Sequence, residues 1–328
     1  MSTTEDGQAV TWHHAFGVQS GSGAVTYLDA DNLLYPVGRH IVVNDPMDLK
    51  DKEGGSMQFI EMRGTVASIA ISNDGKHVGV IDTGDSPDGP SRISVYRLDT
   101  RACVKVLRLS EAPEVDFKEV ISIAWTPDDK HIVLQTGAPS WGLLYWAWHG
   151  NVNKPVCWSA VDEAVSRVSV CPTDASLVVT SGPALLRQWT LQRKDAKEPK
   201  FIERDISATD GAGGVDFRLE PSEEFTDHCW LRDMKAVKKA EEEAEDKAGE
   251  GDGEDSAKAA KLAARLLVGT SHGNLLVFAR SGGDTGPFQL QHVMSDYWDG
   301  SKPATGVGDP EAGSSVHPGN PLCAHRQM

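Results

Sequence analysis

An all-β fold, a WD-type β-propeller of about five degenerate four-stranded antiparallel blades, follows from two features of the sequence. The first is a repeated sentence: VASIAISNDGKHVGVIDTG, Val66 to Gly84, and VISIAWTPDDKHIVLQTG, Val120 to Gly137, share one template. The second is its spacing. Turns at Ser72, Thr126 and Cys171 lie 54 and 45 residues apart, near the roughly 40–45 residues of one blade plus a loop insertion. Four-stranded antiparallel units also stack as β-sandwiches, but a sandwich has no reason to repeat a four-strand unit.

Each element has a local reason. In both copies an alternating run meets a polar turn, Ser72-Asn73-Asp74-Gly75-Lys76 or Thr126-Pro127-Asp128-Asp129-Lys130. Asn, Asp and Gly tolerate left-handed backbone and Pro presets φ, so each pair of runs is a hairpin. Third runs, Ile93 to Tyr96 and Leu143 to Trp146, and fourth runs, Cys103 to Leu107 and Pro155 to Ser159, complete two blades. Upstream, Val25 to Leu28, Leu33 to Pro36, Ile41 to Asn44 and Phe59 to Met62 read as one more. Downstream, Val168 to Val170, the turn Cys171 to Ala175, Leu177 to Thr180 and Leu185 to Leu191 form the next copy. The last is Asp227 to Leu231, Leu266 to Thr270, the tight turn Ser271 to Asn274, and Leu275 to Phe278. Trp125, Trp146, Trp148, Trp189 and Trp230 recur inside these runs and read as packing between blades.

Composition narrows the function classes. The chain has 328 residues, 39% of them hydrophobic, and a net charge of −16, so it repels nucleic-acid phosphates and anionic membrane surfaces as a whole. No apolar run approaches the roughly 18 residues needed to span a bilayer, and the start, MSTTEDGQAV, lacks the pattern of a secretory signal. The expected compartment is the cytoplasm. The five cysteines, Cys103, Cys157, Cys171, Cys229 and Cys323, contain no C-x-x-C pair. The first four sit in or beside apolar runs, where a free thiol behaves as a small buried hydrophobe.

Several phrases carry a family resemblance: Ala15-Phe16-Gly17-Val18, Val25-Thr26-Tyr27-Leu28-Asp29, Asn32 to Gly38 (NLLYPVG), Leu144-Tyr145-Trp146-Ala147-Trp148 and Val268 to Leu275 (VGTSHGNL). In this order, over roughly residues 13 to 295, they resemble the N-terminal propeller region of the family of cilia- and flagella-associated protein 57, also called WD repeat-containing protein 65. The resemblance implies a scaffold of the motile axoneme that anchors or assembles inner dynein arms, with axonemal protein partners and a place in the cytoskeleton of the cilium or flagellum. The chain departs from the family pattern. It has no second propeller and no heptad tail, no blade ends in Trp-Asp, and residues 299–328 match nothing in the family. Five blades of a ring that needs about seven predict an incomplete or open propeller, with a longer functional unit or pairing between copies. A propeller adaptor outside cilia, such as the substrate-binding subunit of a ubiquitin ligase, is the alternative.

Residue by residue, no chemistry is expected. His13-His14, His149, His228 and His272 show no i,i+4 ligand spacing, Gly211-Ala212-Gly213-Gly214 lacks the Lys-Ser/Thr of a phosphate loop, and Ser181-Gly182-Pro183 reads as a turn. His272, in a turn, is expected to hydrogen-bond backbone. The expectation is therefore a non-enzyme: no catalytic residue, no cofactor, no metal, no small-molecule substrate, protein partners only, and no contact residue named by the sequence. Domain boundaries follow as a disordered 1–12, blades over 13–298, and a disordered Gly/Pro/Ser-rich tail over 299–328. Within the blades, Lys235 to Lys261 (KAVKKAEEEAEDKAGEGDGEDSAKAAK) interrupts one hairpin. Its helix-favouring first half and its glycine-acid middle predict a mobile, solvated insertion.

Overall fold

The computed structural model describes residues 25–29, 32–44, 58–84, 89–109, 118–150, 154–192, 198–209, 211, 214–232, 264–280 and 286–295. The expected blade count is met there by five four-stranded antiparallel sheets, each paired in simple chain order. Blade 1 holds β1 (Thr26–Tyr27), β2 (Leu33–Val37), β3 (His40–Asn44) and β4 (Gln58–Glu61). Blade 2 holds β5 (Val66–Ile71), β6 (His77–Asp82), β7 (Arg92–Arg97) and β8 (Cys103–Leu107). Blade 3 holds β9 (Val120–Trp125), β10 (His131–Thr136), β11 (Gly142–Ala147) and β12 (Cys157–Ala160). Blade 4 holds β13 (Arg167–Cys171), β14 (Asp174–Ser181), β15 (Leu186–Gln192) and β16 (Lys200–Asp205), and blade 5 holds β17 (Phe225–Arg232), β18 (Ala264–Thr270), β19 (Asn274–Arg280) and β20 (Phe288–Ser295). Blades 1 and 2 lie in one compact unit and blades 3 to 5 in another.

The repeated turn is the same object twice. In blade 2 the Ser72 hydroxyl donates to Asp74 Oδ1 at 2.6 Å and accepts from the His77 amide at 2.9 Å, while Asp74 Oδ1 accepts from the Lys76 amide. In blade 3 the Thr126 hydroxyl donates to Asp128 Oδ1 at 2.6 Å and accepts from the His131 amide at 3.0 Å, and Asp128 takes the Lys130 amide. One residue per turn must be left-handed: Gly75 (φ 68°) in blade 2, Asp129 (φ 53°) in blade 3. Glycine bears that geometry freely, and aspartate is among the few side chains that tolerate it.

Alternation along a strand explains how blades stack. On β14, Val178 faces a core shared with Val133, Leu143 and Tyr145 of blade 3, while its neighbours Leu177 and Val179 face a core shared with Leu266, Val268 and Phe278 of blade 5. Successive side chains point to opposite faces, so an unbroken apolar run means both faces are covered. Blade 4 is therefore the middle of three sheets stacked in series. Like strands meet like strands: β13 packs beside β9 and β17, and β16 beside β12. Series stacking of this kind separates propeller blades from a two-layer sandwich. In the first unit, Leu34, Ile41 and Ile60 of blade 1 share a core with Val66, Val78 and Val80 of blade 2.

Two strands have no counterpart among the runs expected from the sequence. Lys200–Asp205 is an edge strand with one partly buried apolar side chain, Phe201, and Phe288–Ser295 ends in exposed residues. β16 carries little of the pattern that burial imposes, whereas β20 opens on Phe288-Gln289-Leu290, whose two apolar side chains are buried. Cys103 also departs from expectation. Cys157 and Cys171 are buried and Cys229 is half-buried, but Cys103, the first residue of edge strand β8, is exposed.

Candidate functional site

Of the tryptophans expected between blades, Trp189 lies in the core shared by blades 3 and 4, and Trp230 packs against the core shared by blades 4 and 5. Trp146 and Trp189 are fully buried, Trp189 donating its indole N–H to Thr180 Oγ1 at 2.9 Å, and Trp125 and Trp148 meet edge-on at 5.3 Å. The singled-out histidines are scattered. His13 and His14 lie outside the described residues. His149 stacks on Trp148 with ring centroids 3.6 Å apart. His272 contacts side chains rather than the expected backbone, Ser222 Oγ at 3.4 Å and Glu220 at 3.6 Å. Among the described residues no group of three or more His, Cys, Asp or Glu side chains is arranged to hold a metal ion. Nor is any helix of the described residues long and apolar enough to cross a membrane.

Ser181-Gly182-Pro183 is a hairpin turn as expected, closed by Gly182 N to Leu185 O at 2.8 Å. Of the glycine-rich stretch, Gly211 and Gly214 close a turn with Val215, and Ala212 and Gly213 lie outside the described residues. On blade 2 an open groove of about 510 Å³ is lined by Gly75, Lys76, His77, Arg97, Leu98 and Asp99. Its cations are already paired, Arg97 with Asp99 at 3.0 Å and Lys76 with Asp74 at 3.7 Å.

The densest polar construction joins the innermost strands of the second unit. Ser122 Oγ on β9 accepts from the Val168 amide of β13 at 3.2 Å. Arg167 of β13 pairs with Asp227 of β17 at 2.5 Å. His228 of β17 reaches into blade 4, with Nε2 2.6 Å from Ser169 Oγ and Nδ1 2.7 Å from Ser181 Oγ. Trp230, two residues on and so on the same face of β17, donates its indole N–H to Ser169 Oγ at 2.8 Å. In the sequence Ser181, His228 and Trp230 stand out separately, for different reasons. Only their i,i+2 spacing hinted that the last two act together.

Two further clusters hold loops to strands. Arg187, nearly buried, is ringed by Asp205 at 2.7 Å, Asp162 at 3.1 Å, Glu203 at 3.5 Å and Glu163 at 3.8 Å, and its guanidinium lies over Trp189. Burial alone would make Arg187 easier to deprotonate, but its hydrogen bonds to Asp205 and Asp162 outweigh that and raise its pKa. The buried Glu223 carboxylate accepts from the Thr270 hydroxyl and from Asn274 Nδ2 at 2.7 Å, clamping the segment before β17 to the β18–β19 turn. These groups bind one another. They fasten blades, and the chemistry they offer is cohesion.

No family model matches the chain. A solved β-propeller domain, that of Cps50 (Swd1) from Myceliophteria thermophila, is similar with 12% identity and a TM-score of 0.42, covering 65% of this chain and 51% of that one. The chain is 20% identical over 226 residues to cilia- and flagella-associated protein 57 of Mus musculus, a match that covers 68% of this chain and 16% of the mouse protein.

Proposed function

We propose that this chain is a non-catalytic protein-interaction scaffold, and that it serves the axoneme of the motile cilium or flagellum by anchoring or assembling inner dynein arms. The observation that supports the reading most is the 226-residue similarity to the mouse cilia- and flagella-associated protein. That match spans a length that needs several blades rather than one generic hairpin. The blades agree with a scaffold role, because the polar contacts of Ser122, Arg167 and His228 bind one sheet to the next. With a net charge of −16, direct contact with the acidic surface of a microtubule is opposed over long range, so a bridging partner protein fits better than nucleic acid, membrane or bare tubulin. Blades over residues 13–298 supply the surface, and the segment 235–261 is an insertion within them.

A tagged full-length chain expressed in multiciliated cells tests this. Retention along detergent-extracted axonemes, with inner-arm dynein or doublet proteins recovered by proximity labelling, is the expected result. A diffuse, fully extractable signal overturns the axonemal role, and recovery of ubiquitin-ligase subunits instead would favour an adaptor outside cilia.

A further inference from the structure

The chain Trp230–Ser169–His228–Ser181 has a direction. An indole N–H only donates, so Ser169 Oγ accepts from Trp230 at 2.8 Å. The hydroxyl hydrogen of Ser169 must then go elsewhere, and the other side chain within reach is His228 Nε2 at 2.6 Å. Nε2 is thereby the acceptor, the ring proton sits on Nδ1, and Nδ1–H donates to Ser181 Oγ at 2.7 Å. A neutral imidazole gives each ring nitrogen a serine partner and accepts one serine hydroxyl hydrogen, whereas an imidazolium accepts neither. A second ring proton on Nε2 would point at an oxygen already receiving the Trp230 N–H, and would leave the Ser169 hydroxyl hydrogen without an acceptor in a buried joint where His228 is only 2% exposed.

The charged groups placed beside the ring form one ion pair. Arg167 on β13 lies on the face that carries Ser169, and cross-strand pairing puts it opposite Ser181 of β14. That cation is paired with Asp227 of β17, so the two charges largely offset one another beside the ring. Asp227 on β17 is committed to Arg167 through Oδ2 and to the His228 amide through Oδ1, at 2.5 and 2.7 Å. From β18 the residue opposite His228 is Val268, which carries no charge.

We propose that His228 is a proton-operated latch on the joint between blades 4 and 5: neutral, it bolts β17 to β13 and β14, and protonated, it releases them. The sign follows from proton binding. An exposed histidine in the unfolded chain takes up a proton below about pH 6.5, whereas the folded joint excludes it. The stabilisation is therefore present above that range and lost as pH falls through it. Below the range, the unfolding equilibrium constant rises by up to about tenfold per pH unit from this one group.

Two measurements on the full chain decide the matter. In a long-range proton–nitrogen correlation spectrum of histidine-labelled protein at pH 7.5, His228 is expected to show a protonated Nδ1 and a bare Nε2; a protonated Nε2 or an imidazolium overturns the latch. Urea unfolding from pH 7.5 to 5.5 should then be steeper in wild type than in His228→Gln by up to about tenfold per pH unit, since the other histidines titrate in both. Equal slopes overturn it. Should His228→Gln not fold, amide exchange in wild type replaces it, with protection of β17 expected to fall relative to β10 on acidification, and unchanged relative protection counting against the proposal.

Discussion

The Tyr145 hydroxyl, on β11 of blade 3, donates to the backbone carbonyl of Ala175 on β14 of blade 4 at 3.0 Å. The ring itself is fully buried against Phe201 and His131, so this single side chain both fills the inter-blade core and ties it to a neighbouring backbone. Tyr145→Phe keeps the ring and strands the carbonyl, which should cost about 0.5–1.5 kcal/mol in urea unfolding. Tyr145→Ala also opens a cavity and should cost about 3–5 kcal/mol.

Ser72 and Thr126 test the repeated turn. Each hydroxyl is buried and serves an aspartate and an amide at once, so Ser72→Ala and Thr126→Ala should each lose about 1–3 kcal/mol, with Thr126→Ser close to wild type. The left-handed position makes an asymmetric companion. Gly75→Ala should cost about 1–2 kcal/mol, whereas Asp129→Gly in the equivalent place should leave stability within about 1 kcal/mol of wild type.

Glu223 sets an acid limit on blade 5. Burial alone would raise its pKa, but hydrogen bonds from Thr270, Asn274 and the Glu220 amide, with His272 close by, outweigh burial and hold the carboxyl below the usual value of 4.5. A group depressed on folding stabilises above its unfolded pKa and loses that contribution as pH falls below it. Stability should thus decline below about pH 4.5, and Glu223→Gln should flatten that decline while losing about 1–3 kcal/mol at neutral pH. Melting curves from pH 3.5 to 7 on both proteins measure it.

Arg232 and Ala264 are cross-strand partners at the ends of β17 and β18, so the 31 residues between them occupy the place of a hairpin turn. Loop closure costs little per added residue. Replacing residues 233–263 by Asn-Gly should keep the melting temperature within a few degrees of wild type. A loss of soluble protein on that replacement would show that the segment packs on the blades.

Much of the architecture was legible in the chain alone. Strand positions, the turns at Asp74, Asp128 and Ser271 to Asn274, and the paired ends flanking the insertion are local consequences of alternation and turn chemistry, which a sequence states directly. β16 was not legible because most of its side chains are exposed, whereas β20 does write a short alternation, Phe288-Gln289-Leu290, too brief beside its exposed second half to stand out. The joints between blades were decided by tertiary structure. Ser169 and His228 are 59 residues apart and Arg167 and Asp227 are 60, and nothing in either segment marks the other as its partner. Local propensity settles how each blade is drawn. Only stacking one blade on the next brings a serine, a histidine and a tryptophan within hydrogen-bond reach, since contact across a sheet face depends on the register of strands that the chain itself writes far apart.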